Sequence, residues 1–395
     1  MLETLRNAFK IKDIRKKIIF TFLMLIVIRI GSCLPIPGVD SDVFANWFAS
    51  QTADGMGFFD AITGGSFYRM SIFALNITPY ITSSIIMQLL TIAIPKLEEM
   101  QRDGEEGRKK IAEITRYLTV ALALIEAVAM TIGFRRGGYL EFSSGYQGVL
   151  DIIMVIFTLT AGSAVLMWIG ERITEKGVGN GISIVLLINI VSGTPQDMMT
   201  LYERFMAGRS VAVATVSGII VLAIIVAIVV FVLVLNDAER RIPVQYSKKM
   251  QGRRMIGGQS TYIPLKVNTA NVIPVIFASS IMSMPVMIAQ FFHVDYSTIG
   301  GKILLALSSS NWFKPEAPAY SIGLLVYIVL VVLFAYFYTS ITFNPLEVAN
   351  NMKKSGGFIP GIRPGKPTSD YLNNILNYIV FIGACGLVIV CIIPI

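Results

Sequence analysis

The chain has 395 residues, of which 54% are hydrophobic and only 15% are charged, and its mean hydropathy is +0.67. This apolar content exceeds what the core of a soluble domain of that length needs, so the composition excludes an ordinary globular protein and indicates a bilayer environment. The formal net charge is +8, so the distribution of basic residues along the chain carries information about the loops.

Nine apolar stretches follow one another along the chain. Each is close to the roughly 20 residues that a helix needs to cross the hydrocarbon core of a bilayer. We therefore predict nine transmembrane helices and an all-α, polytopic membrane fold. The approximate bounds of the predicted spans are 18–34, 71–94, 117–134, 149–169, 182–198, 211–235, 272–292, 322–343 and 375–395.

Residues 54–69, between the first two predicted spans, read DGMGFFDAITGGSFYR. The segment is too short and too rich in glycine to cross a membrane, yet its apolar side chains favour burial. One interpretation is a re-entrant segment, which implies a cavity because non-helical backbone at membrane depth must be buried in protein or line water. An amphipathic interfacial helix explains the periodicity equally well.

Polar and ionisable residues mark some of the predicted spans. The second span mixes apolar and hydroxyl-bearing residues around Pro79, which removes a helical hydrogen bond, and this pattern predicts a kinked helix suited to a pore wall. Charges inside spans are costly. Arg29, near the outer end of the first span, is expected to extend to the interface, and Glu126, in the middle of the third, is expected to make a buried polar contact.

The basic residues give the chain an orientation. Alternate loops, starting with the N-terminal segment, hold 25 of the 33 Lys and Arg residues. Cytoplasmic loops carry such an excess, so we predict a cytoplasmic N-terminus. The loop at 236–269 is long and basic, and it suits docking of an acidic or RNA-rich partner, although contact with anionic lipid explains its charge as well.

The sequence contains no phosphate-binding loop, paired carboxylates or nucleophile motif in a plausible context, so we predict no enzyme activity, no cofactor and no metal site. A channel, an inverted-repeat secondary transporter, and a receptor or assembly factor without conduction remain as classes. A transporter needs a solute or ion site near the membrane midplane, and Glu126 is its one obvious candidate.

Short motifs in a fixed order run along essentially the whole chain. They are Arg29–Gly31, Pro35–Gly38, Ile77–Ile81, Gly170–Thr174, Gly177–Gly181, Gly257–Thr261, Ile263–Asn268 and Pro360–Gly365. In order and spacing, the chain resembles the SecY family, the pore-forming subunits of the bacterial Sec protein translocon. Each motif alone is weak, whereas the series is highly specific.

The resemblance implies a fold of ten spans in two pseudo-symmetric halves of five, arranged as inverted repeats around an hourglass-shaped pore. In this sequence the N-terminal half corresponds to 1–195, with a re-entrant plug at about 55–69, and the C-terminal half to 196–395. The sequence ends with the ninth span, so we expect the tenth to be absent. The implied function is passage of unfolded preproteins across the cytoplasmic membrane and lateral release of signal and transmembrane helices into it.

The resemblance also implies residue roles and partners. The pore constriction would contain Ile77, Ile81, Ile182, Leu186 and Ile276. The plug would contain Met56, Gly57, Phe58, Phe59, Ile62, Gly64 and Gly65. The lateral gate would use Thr82, Glu126 and Asn268, and contact with the ribosome or SecA would use Arg253, Arg254 and Arg363. The implied partners are SecE-like and SecG-like membrane subunits, the SecA ATPase, the ribosome with its rRNA, preproteins, signal peptides and membrane lipid.

Overall fold

The structure is a computed structural model of the chain. It describes residues 10–37, 39, 63–67, 69–136, 146–246, 249–251, 254–256, 260–291, 298–308, 311–312 and 318–393. The chain divides into two compact units, one of Met1–Arg204 with Pro285–Leu304 and one of Phe205–Met284 with Leu305–Ile395. The division into halves at residue 195 stays a prediction.

Helices account for most of the described residues. In chain order they are α1 (Lys12–Cys33), α2 (Thr78–Ala93), α3 (Pro95–Arg102), α4 (Glu105–Arg136), α5 (Tyr146–Lys176), α6 (Gly181–Phe205), α7 (Val211–Asp237), α8 (Ile273–Phe291), α9 (Ile299–Leu307), α10 (Ile322–Thr342), α11 (Pro345–Lys354) and α12 (Lys366–Ile392). The strands are β1 (Glu239–Tyr246), β2 (Lys249–Gln251), β3 (Arg254–Ile256), β4 (Ser260–Lys266) and β5 (Gly357–Phe358). The fold is thus an all-α polytopic membrane fold that carries a small sheet.

Every predicted span overlaps a helix in the described part of the chain. Within the described ranges, six helices are long and apolar enough to cross a membrane, and the bent pair α2 and α3 makes a seventh candidate. The first predicted span corresponds to α1, which contains basic residues at one end and Arg29 near the other. The seventh corresponds to α8, of which Ile273–Val286 forms a shorter apolar helix.

The second span differs from its prediction. Residues 72–77 form turns rather than helix, so Pro79 lies in the first turn of α2, where its missing N–H breaks no helical hydrogen bond. The predicted kink at Pro79 is therefore wrong. The bend lies instead between α2 and α3, whose axes differ by 107°. Ile94 is extended there because the proline that follows it disfavours helical backbone.

The core of the first unit joins α4 and α5 to the turns that precede α2. Its buried members are Ile36, Phe67, Met70, Ala74, Leu75, Ala123, Ala127, Met130, Val155 and Leu159. Small residues on α4 allow this close packing, and Gly162 of α5 lies so near Ile72 that a Cβ atom would meet its carbonyl oxygen. The backbone before α2 is therefore held against two long helices.

The second unit begins with α7, a 27-residue apolar helix in which no residue is buried. It leads directly into a three-stranded antiparallel sheet with the order β4, β1, β5, while β2 and β3 form a separate hairpin. Glu239 pairs with Lys266 at one end of β1, and Ile242 pairs with Ile263 in its middle. The long basic loop predicted at 236–269 therefore contains ordered strands, which the sequence interpretation missed.

One face of this sheet packs on α11 and α12. The buried residues of this cluster are Ile242, Val244, Leu265, Met352, Ile359, Leu372 and Ile379. Leu372 and Ile379 belong to α12, so the apolar core of the sheet continues into a membrane helix. The sheet is consequently fixed to α12 by side-chain packing as well as by its connection to α7.

Candidate functional site

Four of the five predicted constriction residues lie in one apolar cluster of the first unit. Ile77 is buried, and Ile81, Ile182 and Leu186 are partly buried against it. Ile77 and Ile81 are four residues apart at the start of α2, as are Ile182 and Leu186 at the start of α6, so each pair shares a helix face. Of the four, Ile81, Ile182 and Leu186 are only partly covered by their neighbours.

Ile276, the fifth predicted residue, lies in the second unit. It occupies the first turn of α8, where its N–H donates to the carbonyl of Val272 at 3.2 Å, and its side chain is partly exposed. Its place beside the other four stays a prediction.

The start of α6 is fixed by a glycine-rich turn. Asn180 caps the helix, since its Oδ1 accepts from the N–H groups of Ile182 at 3.0 Å and Ser183 at 3.4 Å. Thr174 Oγ1 accepts from Gly181 N at 2.8 Å, and Thr21 Oγ1 of α1 accepts from Val178 N at 3.1 Å. These bonds set the register with which α6 presents its first apolar side chains.

Gly181 also brings α6 against α5. A Cβ atom at this position would overlap the carbonyl oxygen of Gly170, and one at Gly170 would meet the side chain of Ile182. The motifs Gly170–Thr174 and Gly177–Gly181 thus act together, because the first supplies the surface on which the second packs. This contact places Ile182 in the apolar cluster.

A buried polar network lies deeper in the same unit. Asn189 of α6 donates through Nδ2 to Oδ1 of Asn76 at 2.9 Å, and Ser163 Oγ of α5 donates to the Asn76 carbonyl at 3.1 Å. Asn76 adopts a left-handed φ of 53°, a conformation that Asn tolerates better than most residues. The sequence interpretation missed this network.

The predicted plug is only partly described. Met56, Gly57, Phe58, Phe59 and Ile62 lie outside the described residues. Gly64 and Gly65 are described, with left-handed φ values of 65° and 77°. The Gly64 carbonyl accepts long hydrogen bonds of 3.5 Å from Arg29 Nη1 of α1 and from Ser192 Oγ of α6. Arg29, expected only to extend to the interface, therefore contacts Gly64, which lies in the segment predicted to be the plug.

The predicted lateral-gate residues belong to different units. Thr82 on α2 and Glu126 on α4 are both partly exposed. Asn268 is 4% exposed and donates through Nδ2 to Oδ1 of Asn236 at 2.8 Å, a partner in its own unit. The contact of Asn268 with Thr82 and Glu126 stays a prediction.

Two of the three predicted docking residues are described, and both belong to the second unit. Arg253 lies outside the described residues, and Arg254 begins β3. Arg363 is exposed in the loop between β5 and α12. The outer face of the sheet adds Arg241, whose Nε donates to Glu239 Oε1 at 2.6 Å and whose guanidinium lies 4.9 Å from the centre of the Tyr262 ring. The hydrogen bond to Glu239 raises the pKa of Arg241, so this arginine stays charged.

A metal or cofactor site is not evident in the described part of the chain. No three His, Cys, Asp or Glu side chains in those ranges come close enough together to hold a metal ion.

The fold defined by these helices is that of protein-conducting channels. A solved protein-conducting channel superposes with a TM-score of 0.59 over 95% of this chain and 84% of that one, at 19% identity. The idle yeast Ssh1 complex bound to the yeast 80S ribosome superposes with a TM-score of 0.65 over 96% and 84%, at 16% identity.

The sequence comparison is more specific. The family model for SecY matches residues 71–395. The protein translocase subunit SecY of Streptomyces scabiei is 44% identical over 406 aligned positions, which cover 100% of this chain and 89% of the relative. The chain belongs to the SecY family. This membership confirms the resemblance and does not support the alternative of an inverted-repeat secondary transporter.

Proposed function

We propose that this chain is the central, protein-conducting subunit of a Sec translocon. It passes unfolded preproteins across the cytoplasmic membrane and releases signal and transmembrane helices sideways into the lipid. The observation that carries the proposal is the cluster of Ile77, Ile81, Ile182 and Leu186, at family-matched positions, in a chain that belongs to the SecY family. These residues, together with Ile276, form the constriction.

An apolar constriction suits this task for a physical reason. Aliphatic side chains offer no hydrogen bonds to a substrate, so they yield to any sequence, and a narrow apolar passage closes to ions by dewetting. The polar network around Asn76 fixes the backbone immediately before Ile77. The scaffold of the ring is thus rigid, whereas its side chains can move aside.

Closure and lateral release use the segments next to this ring. The plug at about 55–69 contains Gly64, whose carbonyl accepts two bonds of 3.5 Å from the described residues, lengths typical of weak hydrogen bonds. The lateral gate joins Thr82, Glu126 and Asn268. A polar contact between membrane helices contributes on the order of 1 kcal/mol, which biases a gate yet allows a signal helix to open it.

The basic loops face the cytoplasm together with the N-terminus and bind the partners that drive translocation. Arg253 and Arg254 contact ribosomal RNA, and Arg363 couples the channel to the SecA ATPase. Solved relatives of this fold, the yeast Ssh1 complex and canine Sec61, are complexes with ribosomes, which supports the ribosome as a partner. SecE-like and SecG-like subunits complete the assembly in the membrane.

The experiment that tests conduction places a photo-crosslinking amino acid at Leu186. The chain is reconstituted with a SecE-like subunit, SecA, ATP and a preprotein whose folded C-terminal domain stalls it in transit. We expect an ATP-dependent crosslink between position 186 and the stalled chain. Leu187 is the matched control, since it is 59% exposed and lies about 100° around the same helix, outside the apolar cluster.

If the preprotein becomes protected from protease but does not crosslink to position 186, the translocation path does not pass Leu186. Equal crosslinking from Leu186 and Leu187 would show that α6 contacts the substrate without forming a constriction. If no preprotein becomes protected under any of these conditions, the channel function itself fails.

A further inference from the structure

The loop that carries Arg363 is anchored at its base. Ile359 is buried in the cluster beneath the sheet, and Ile362 packs against that cluster. The N–H of Ile362 donates to the carbonyl of Ile359 at 3.0 Å, which closes a turn just before Arg363. Two apolar side chains thus fix one end of the loop, while the Arg363 side chain remains exposed.

Two glycines flank this arginine. Gly361 has φ +84° and Gly365 has φ +106°, and a Cβ atom on either would meet nothing within 4 Å. Glycine is therefore favoured at these two positions because it tolerates a positive φ, and not because a larger side chain would clash. Glycine also leaves a backbone free to adopt many conformations, so the segment between them needs another restraint if Arg363 is to have a fixed position.

Thr368 supplies this restraint. Its side chain is fully buried, and its Oγ1 donates to the carbonyl of Arg363 at 2.8 Å. Thr368 lies in the first turn of α12, and Leu372, one turn later, is fully buried in the cluster beneath the sheet. The hydroxyl is consequently held by the core of the second unit and transmits that rigidity to the Arg363 backbone.

Thr368 differs from the other buried threonines in the position of the carbonyl group to which its hydroxyl donates. Buried threonines elsewhere in the described helices donate to the carbonyl four residues earlier in their own helix. They are Thr21, Thr91, Thr115, Thr119, Thr131, Thr160 and Thr339. Thr368 instead reaches five residues back, to a carbonyl outside α12, which begins at Lys366. Its hydroxyl therefore stabilises the loop that precedes α12 and not α12 itself.

We propose that Thr368 is a positioning residue for the motor contact: its buried hydroxyl fixes the Arg363 backbone so that the guanidinium is presented to the ATPase partner in one orientation. This inference rests on the proposed function, in which Arg363 couples the channel to SecA. Thr368 itself touches neither the motor nor the substrate.

The first test measures the loop without reference to transport. Hydrogen exchange, followed by mass spectrometry of peptides covering residues 359–366, is compared in the purified full chain and in T368V, T368S and T119V. Loss of one hydrogen bond is expected to accelerate exchange about threefold to tenfold in T368V. T368S retains the hydroxyl and should match the parent chain. Thr119 is equally buried and bonds within α4, so T119V removes a similar bond elsewhere.

The second test measures coupling to the motor. Preprotein translocation is titrated with SecA for the parent chain, R363E, T368V and T368S. We expect the SecA concentration for half-maximal rate to rise about threefold to tenfold in T368V and further in R363E, with the maximal rate of T368V and its Tm unchanged. If Thr368 only stabilised the fold, T368V would lower the Tm and the maximal rate but would not change the SecA concentration for half-maximal rate.

The outcomes distinguish the two proposals. If R363E raises the half-saturating concentration and T368V does not, the positioning role is overturned and the channel function stands. If R363E has no effect on a translocating channel, the motor contact at Arg363 fails and the positioning role with it. If the chain does not translocate at all, the proposed function fails, and unchanged exchange in T368V would overturn the positioning claim independently.

Discussion

Gly170 and Gly181 are the residues on which the geometry of the apolar cluster around Ile182 depends most directly. They let the backbones of α5 and α6 meet, with the Gly181 Cα facing the carbonyl oxygen of Gly170. Even a methyl group there overlaps with a backbone atom, which cannot rotate away as a side chain can. The position of Ile182, the next residue along α6, follows from this contact.

We predict that G181A destabilises the protein by about 1 to 3 kcal/mol, because an added methyl must push α5 and α6 apart. The matched control is G193A in the same helix. A Cβ on Gly193 meets only the Asp197 carboxylate at 3.8 Å, and alanine favours helix by up to about 1 kcal/mol over glycine. Thermal unfolding in detergent measures both, and a Tm for G181A at or above that of G193A would contradict the assigned contact.

Residue-scale contacts are also where the sequence was least informative. Asn76 and Asn189 are separated by 113 positions, and nothing in either local pattern indicates that they pair. Thr368 resembles any threonine in a first helical turn until its acceptor is known. The aliphatic residues predicted to form the constriction came only from the family resemblance, since their spacing also fits ordinary helix packing.

The sheet of the second unit is the element that links the basic loops to the membrane helices. Its buried face shares a core with α11 and α12, in which Leu372 is fully buried. A signal for this sheet existed in the sequence, because Ile242 and Val244 stand two residues apart between Arg241 and Gln245, as in a half-buried strand. Pro243 obscured it, since proline within a strand pattern argues against a central strand.

We predict that L372A destabilises the second unit by about 2 to 5 kcal/mol, because it removes buried methyl groups and leaves a cavity beneath the sheet. L346A is the control, since Leu346 lies on α11 of the same unit but is 54% exposed. Limited proteolysis of the loops together with thermal unfolding reports the difference. Equal losses in the two variants would show that the sheet is not packed on α12 as described.

At the scale of the whole molecule, the composition was enough to predict an all-α polytopic membrane fold. Each of the nine predicted spans overlaps a helix in the described residues, because a long apolar run in a bilayer has little alternative to helix. The helix ends were less predictable. α4 and α5 extend beyond the predicted spans in polar turns at their ends, since packing between helices continues outside the hydrocarbon core.

The predicted orientation is testable with single cysteines in a background lacking Cys33, Cys385 and Cys391. S210C precedes α7 and should react with a membrane-impermeant maleimide in intact cells. K176C, at the end of α5, should react only after lysis, because the basic loops are predicted to face the cytoplasm. Both positions are exposed, so accessibility within the fold does not separate them. The reverse pattern would invert the topology.

The length of α7, in which no residue is buried, exceeds the thickness of a typical membrane core. With 27 residues it is about 40 Å long, whereas the hydrocarbon core of a typical bilayer is about 30 Å thick. Hydrophobic mismatch of this size is relieved by tilting of the helix or by local thickening of the lipid. Because β1 begins two residues after α7 ends, a change in the tilt of α7 also displaces the start of the sheet.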